Sequence, residues 1–345
     1  MNYKQTGTKS NRLSTPVADL ARVLIPYRTP DQLRSTLEVA LTVIPFFVLW
    51  AACWWAYSIS YWLCLALSIP AGTFLVRLFL IQHDCGHGAF FQNRKLNDWI
   101  GRILGVFTLT PYHVWKRSHA LHHAGSGNLD KRGIGDISTL TVQEYHERDF
   151  WGRVSYRAYR NPITLFVVGP AYQFLLRNRL PQQYDGNSRQ YWISTMGTNL
   201  TIAILIAVMI YLVGLVPFVL IQLPITLVAS SIGVWLFYVQ HQFEETQWDY
   251  TDNWEQQDAA FHGSSHYDLP GILRWASANI GVHHVHHLNS RIPFYRLPQV
   301  LRDLPELAEV KRLTLLESFR CVKYHLWDES SRRLVTFAEA RTINT

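Results

Sequence analysis

Residues 61–87 read YWLCLALSIPAGTFLVRLFLIQHDCGH. The first 21, through Ile81, are an apolar run holding one charge, Arg77, and the run ends in a polar segment with two histidines. At about 1.5 Å of rise per residue, such a run reaches about 31 Å as a helix, the depth of a bilayer's hydrocarbon core. Pro70 would break an isolated soluble helix but is tolerated in a membrane span. Three more runs share this character: 39–57, 192–213 and 215–239. Only Ser58-Ile59-Ser60 separates the first from 61–81, and only Gly214 separates the last two. The expectation is an all-α integral membrane protein with four spans in two hairpins.

Composition supports this once position is considered. Of the 345 residues 48% are hydrophobic, yet only 17% are charged, below the roughly 25% of soluble domains. Disordered, collagen-like and small disulfide-rich chains are excluded. The four cysteines have no CxxC spacing, which argues against a thiolate zinc site. Residues 1–34 lack the apolar core of a signal peptide. The segments 100–111 and 163–176 are too short to span and contain or end in Pro111 and Pro170, so they read as interfacial or re-entrant. The basic, aromatic stretch 150–160 reads as a helix lying on the membrane surface.

Net charge is +7. Six of the 32 Lys and Arg precede residue 35, fourteen lie in 82–191, eleven follow 240, and the two tight turns hold none. Basic residues favour the cytoplasmic side. Both termini and the central segment are therefore expected there, in the inner membrane if the cell is bacterial. No basic soluble module points to nucleic acid. The domain expectation is one unit, 1–345, with a cytoplasmic N-terminal segment 1–34, a cytoplasmic helical cap and a tail 311–345.

Fifteen histidines are present, and eight fall into three clusters. His83 and His87 give H-x-x-x-H; His119, His122 and His123 give H-x-x-H-H; His283, His286 and His287 repeat that pattern. Positions i, i+3 and i+4 share a helix face, so each cluster can aim two or three imidazoles at one point. An even number of spans separates the clusters, so all three lie on one side. Eight imidazoles exceed the needs of one ion, and two metals are the natural inference; iron, zinc, copper and nickel all suit imidazole. His241, after the fourth run, is a candidate ninth ligand. Asp84 or Asp136 is placed to orient a ligand ring. His284 points off its cluster's face, while His113, His146, His262, His266 and His325 read as structural or peripheral. HExxH zinc chemistry is excluded, because His146-Glu147 has no second His, and the Glu-x-x-His spacing of soluble di-iron bundles does not occur. A metal transporter would instead place ligands near mid-membrane.

These boxes resemble those of the integral-membrane fatty acid desaturases, above all the acyl-lipid branch that includes the omega-6 type enzymes. The likeness rests on residues 81–91 (IQHDCGHGAFF), 108–112 (TLTPY), 135–141 (GDISTLT), 263–265 (GSS), 267–270 (YDLP), 279–281 (NIG) and 291–293 (RIP). It covers roughly 35–310. The resemblance implies a di-iron centre that uses O2 to place a cis double bond in a fatty acyl lipid or acyl thioester. It implies His83, His87, His119, His122, His123, His283, His286 and His287 as iron ligands, with His241 joining them. It also implies a separate electron donor of ferredoxin, flavodoxin or cytochrome b5 type, since no His-Pro-Gly-Gly motif of a fused cytochrome b5 is present. Membrane di-iron hydroxylases and carotenoid ketolases share similar boxes and are the alternative; oxygen retained in the product separates them from a desaturase.

Overall fold

The computed structural model describes residues 17–182, 184 and 188–343; part of the expected N-terminal segment and the last two residues of the tail lie outside these. Two helices, α1 (Gln32–Tyr57) and α2 (Tyr61–Gly86), form the first hairpin. Next come α3 (Arg94–Phe107), α4 (Tyr112–Gly125) and α5 (Phe150–Tyr159), too short to cross a bilayer. The second hairpin is α6 (Ser188–Val213) and α7 (Leu215–His241), followed in the cap by the short α8 (His283–Leu288). Four of these, α1, α2, α6 and α7, are long and apolar enough to cross a membrane. The four expected apolar helices are thus present, but longer. The helical backbone of α2 and α7 continues into polar sequence, so His83 and His241 stand on last turns and not beyond them.

Packing follows from side-chain size and charge. α2 lies against both α1 and α7, whereas α6 touches the rest through α3, α4 and α7. Large apolar residues of α6, including Leu200, Ile204 and Leu212, are left exposed. In water that face would be an aggregation site; in hydrocarbon it is stable. Gly214 closes the α6–α7 turn at φ +86°, a conformation costly for any residue with a Cβ. The one charge of the apolar runs, Arg77, is buried against Glu38, which also takes Arg34 at 2.7 Å. Arg77 further donates to Thr42 Oγ1 at 3.0 Å and lies 4.2 Å over the Trp275 ring. Pairing offsets part of the cost of burying a guanidinium among apolar helices.

The cap is not purely helical. Among the described residues five strands of two or three residues occur: β1 (Leu140–Thr141), β2 (His266–Asp268), β3 (Arg312–Thr314), β4 (Leu326–Asp328) and β5 (Arg333–Val335). β1 pairs parallel with β4, and β4 antiparallel with β5, while β2 and β3 form a separate parallel pair. These ladders tie the chain after 310 to the loop that follows the second histidine cluster, through β1, and to the segment before the third, through β2. The segments read as interfacial are helical: α3 covers most of 100–111, and 164–176 winds through wide π-type turns around Gly169–Ala171.

Candidate metal centre

Four helices converge at the cap end of the bundle. α2 brings His83 and, just past its end, His87; α4 brings His119, His122 and His123, α7 brings His241, and α8 brings His283, His286 and His287. The nine rings fall into two groups, but not cluster by cluster. His83, His87, His119, His123 and His286 offer ligand atoms within 4.8 Å of one another, as do His122, His241 and His287. His283 joins the second group, with its Nε2 at 2.9 Å from that of His241 and 3.1 Å from that of His287. The H-x-x-H-H spacing explains the exchange. The i and i+4 residues of each helix face one group, and the i+3 residue is turned toward the other.

The ring nitrogens converge at hydrogen-bond distance. In the five-His group Nε2 of His119 is 3.0 Å from that of His87 and 3.1 Å from that of His123, and His286 approaches His123 at 3.2 Å. In the four-His group His122 and His241 are 3.2 Å apart. His119, His123, His241 and His283 each present one Nε2 to two neighbours, and one N–H cannot donate to both. Lone pairs therefore converge in part of each group, an arrangement that a cation would satisfy. Metal–imidazole bonds are about 2.1 Å long, so ring nitrogens spaced this way could share one ion.

Protonation state agrees. Burial first, and then the charge that neighbouring imidazoles would carry, hold His87, His119, His123, His283, His286 and His287 well below 6.5. They are neutral at neutral pH, as metal ligands must be. His83 Nδ1–H donates to Asp84 Oδ1 at 3.0 Å, and His122 Nδ1–H donates to Asp136. Each carboxylate selects the tautomer that leaves Nε2 free for a metal. Asp84 is itself held by the Phe294 N–H at 2.7 Å. Nδ1 of His283 and of His287 has no protein partner among the described residues. All-nitrogen donors, neutral and convergent, fit two late first-row divalent ions.

The remaining histidines are elsewhere, as their spacing indicated. His284 is buried behind α8, contacting the Leu307 carbonyl at 2.9 Å, with burial holding its pKa down at about 3. His113 accepts from Arg102 at 3.1 Å, His262 faces Asp258 at 3.5 Å, and His266 donates to the Ala308 carbonyl at 2.5 Å. His325 stacks on Phe337 with centroids 4.3 Å apart, and His146 sits on a separate short helix, Val142–Glu147.

Sequence reasoning missed two supports. Trp115 stacks on His119 at 4.7 Å between centroids, a pair that the i, i+4 spacing could have revealed. Arg160, read as part of a surface helix, is buried, and nothing in its local sequence marks it.

A cavity of about 1070 Å³ opens from this centre. His83, His119 and His283 line one part of it, and apolar residues such as Leu75, Phe79, Leu80 and Phe237 line much of the remainder. Along α7 its lining runs from Thr226 to Gln240, roughly 21 Å of helix axis. Exposed Val168, Tyr172 and Leu180 stand at its edge. Such a space has room for a long apolar substrate beside the imidazoles.

The profile of the fatty acid desaturase family matches residues 60–318. A fatty acid desaturase of Bacillus subtilis is 42% identical over 94% of this chain and 92% of its own. An sn-1 oleoyl-lipid 12-desaturase of Picosynechococcus is 26% identical over 89% of this chain and 86% of its own. An sn-1 acyl-lipid omega-3 desaturase (ferredoxin) of Synechocystis is 30% identical over 75% and 70%. With two converging histidine groups at the end of four apolar helices, the chain belongs to the fatty acid desaturase family.

Proposed function

We propose that the protein is a multi-pass membrane enzyme that places a cis double bond in the acyl chain of a membrane lipid, using O2 at a di-iron centre. His83, His87, His119, His123 and His286 would hold one ion, and His122, His241, His283 and His287 the other. The observation that carries this is the pattern of Nε2 contacts at 2.9–3.2 Å beside an elongated apolar cavity. Iron so held supplies the redox chemistry that reduces O2 to two waters, as two hydrogens leave the chain and two electrons and two protons enter.

The protein's part is positional. Asp84 and Asp136 fix two ligand rings, and Trp115 packs flat on a third. The cavity wall excludes water and holds one methylene pair near His83, His119 and His283. The substrate is expected to be an acyl lipid, as in the names of the two cyanobacterial relatives, and the electrons to come from a separate donor of ferredoxin, flavodoxin or cytochrome b5 type. Basic residues on the side of the histidines support a cytoplasmic cap and termini, and the whole chain is proposed to act as one domain.

The test is expression in a host lacking the activity, with gas chromatography–mass spectrometry of double-bond positions in its lipids. New unsaturated acyl chains are expected from the wild type and none from His122→Ala or His286→Ala, with the variants still in the membrane. Undiminished product from both variants would overturn the proposal, and so would a product that retains oxygen.

A further inference from the structure

Arg160 is 1% exposed and is bonded only by neutral oxygens among the described residues. One end of its fork donates to the Ser138 carbonyl at 3.2 Å and Thr139 Oγ1 at 3.4 Å. The other donates to Gln242 Oε1 and the Tyr324 carbonyl, both at 2.9 Å, and to the Tyr238 hydroxyl at 3.3 Å. Burying a guanidinium without a carboxylate is expensive, and an apolar side chain of similar volume would fill the place at lower cost. What the fork adds is its reach: planar, fixed donors that join three separate segments at once.

Those segments lead to one group of histidines. Ser138 and Thr139 follow Asp136, the acceptor for His122, by two and three residues. Tyr238 shares the last turn of α7 with His241, Gln242 follows His241 directly, and Gln242 is also bonded to Thr139 Oγ1 at 3.1 Å. Tyr324 anchors the arrangement to the chain that runs into β4. None of these segments carries a member of the five-His group.

Resting on the metal reading above, we propose that Arg160 is a positioning residue for the four-His group, fixing Asp136, and through it His122, against the end of α7 that carries His241. Its loss loosens that group while leaving the five-His group formed.

The experiment is an anaerobic ferrous-iron titration of the purified full-length protein, following affinity and ions bound per chain. Wild type is expected to take two ions. Arg160→Met should keep one ion at wild-type affinity and bind the other 10–100-fold more weakly, the range for lost outer partners of a ligand. Arg160→Lys should be weakened too, since a point charge cannot span the same oxygens. Hydrogen exchange at residues 136–139 should rise in both. Gln242→Leu, which removes one strut only, carries the same selective expectation should Arg160→Met fail to fold. Two ions at wild-type affinity in the variants, or equal weakening of both, would overturn the role of Arg160. A wild type that binds no iron would overturn the metal reading itself, and that arm needs no variant.

Discussion

Asp84 sits inside the first histidine cluster and Asp136 thirteen residues beyond the second, yet each accepts an Nδ1–H from a ring whose Nε2 faces the centre. Both were legible as candidates because a carboxylate near a cluster of imidazoles has an obvious task. Which ring each would hold was not, since Asp136 reaches His122 through a loop whose path depends on the fold. Asp136→Asn should weaken one bound ion by 10–100-fold, read by competition with a chelator; unchanged retention of both ions would contradict the orienting role. His325 shows the opposite case, a histidine with no metal part. Burial, then Arg160 and Arg157, hold it down at about 4 against the usual 6.5. Between those values the unfolded chain takes a proton that the folded chain refuses. Stability is therefore complete above about pH 6.5 and drains away as the pH falls toward 4. His325→Phe keeps the stack on Phe337 and removes the titration. Its melting temperature should fall less between pH 7 and 4.5 than that of wild type, and equal slopes would contradict this.

Helix periodicity carried further than helix boundaries. The apolar runs were readable because hydrocarbon demands an unbroken length, and α1, α2, α6 and α7 appear where they were expected. Their polar ends were not readable, because hydropathy stops reporting when the side chains turn inward to a site, as at His83 and His241. The spacing within each cluster foretold a shared face but not the exchange of the i+3 residue between groups, which needs two helices to face each other. Two-residue strands such as β1 left no trace in the pattern, being selected by pairing across distant segments and not by local propensity. On α7, Gly233 borders the cavity, and a Cβ there would meet no atom within 4 Å. Gly233→Leu should thus fold normally while filling part of the acyl space. Lipid analysis should show conversion of the longer acyl chains falling several-fold more than that of shorter ones. An unchanged product profile would mean that the substrate does not pass this face of α7.

At the scale of the whole molecule, composition averages concealed two environments. The low charge fraction belongs to four helices whose outer faces suit hydrocarbon, and the charged and titratable groups gather in the cap. That division brings the three histidine clusters to one end of the bundle, although nearly 200 residues separate the first from the last. The two groups also differ in access. His87, His119 and His123 of the five-His group are only partly buried, whereas His122, His241 and His287 are buried. The most direct measurement is the iron content of the purified full-length protein, by mass spectrometry of the metal after anaerobic loading and removal of loose ions. Two irons per chain, falling to about one in His241→Ala, is the result predicted. A wild-type chain that retains one iron or none, or that keeps two without His241, would contradict a centre built from these nine histidines.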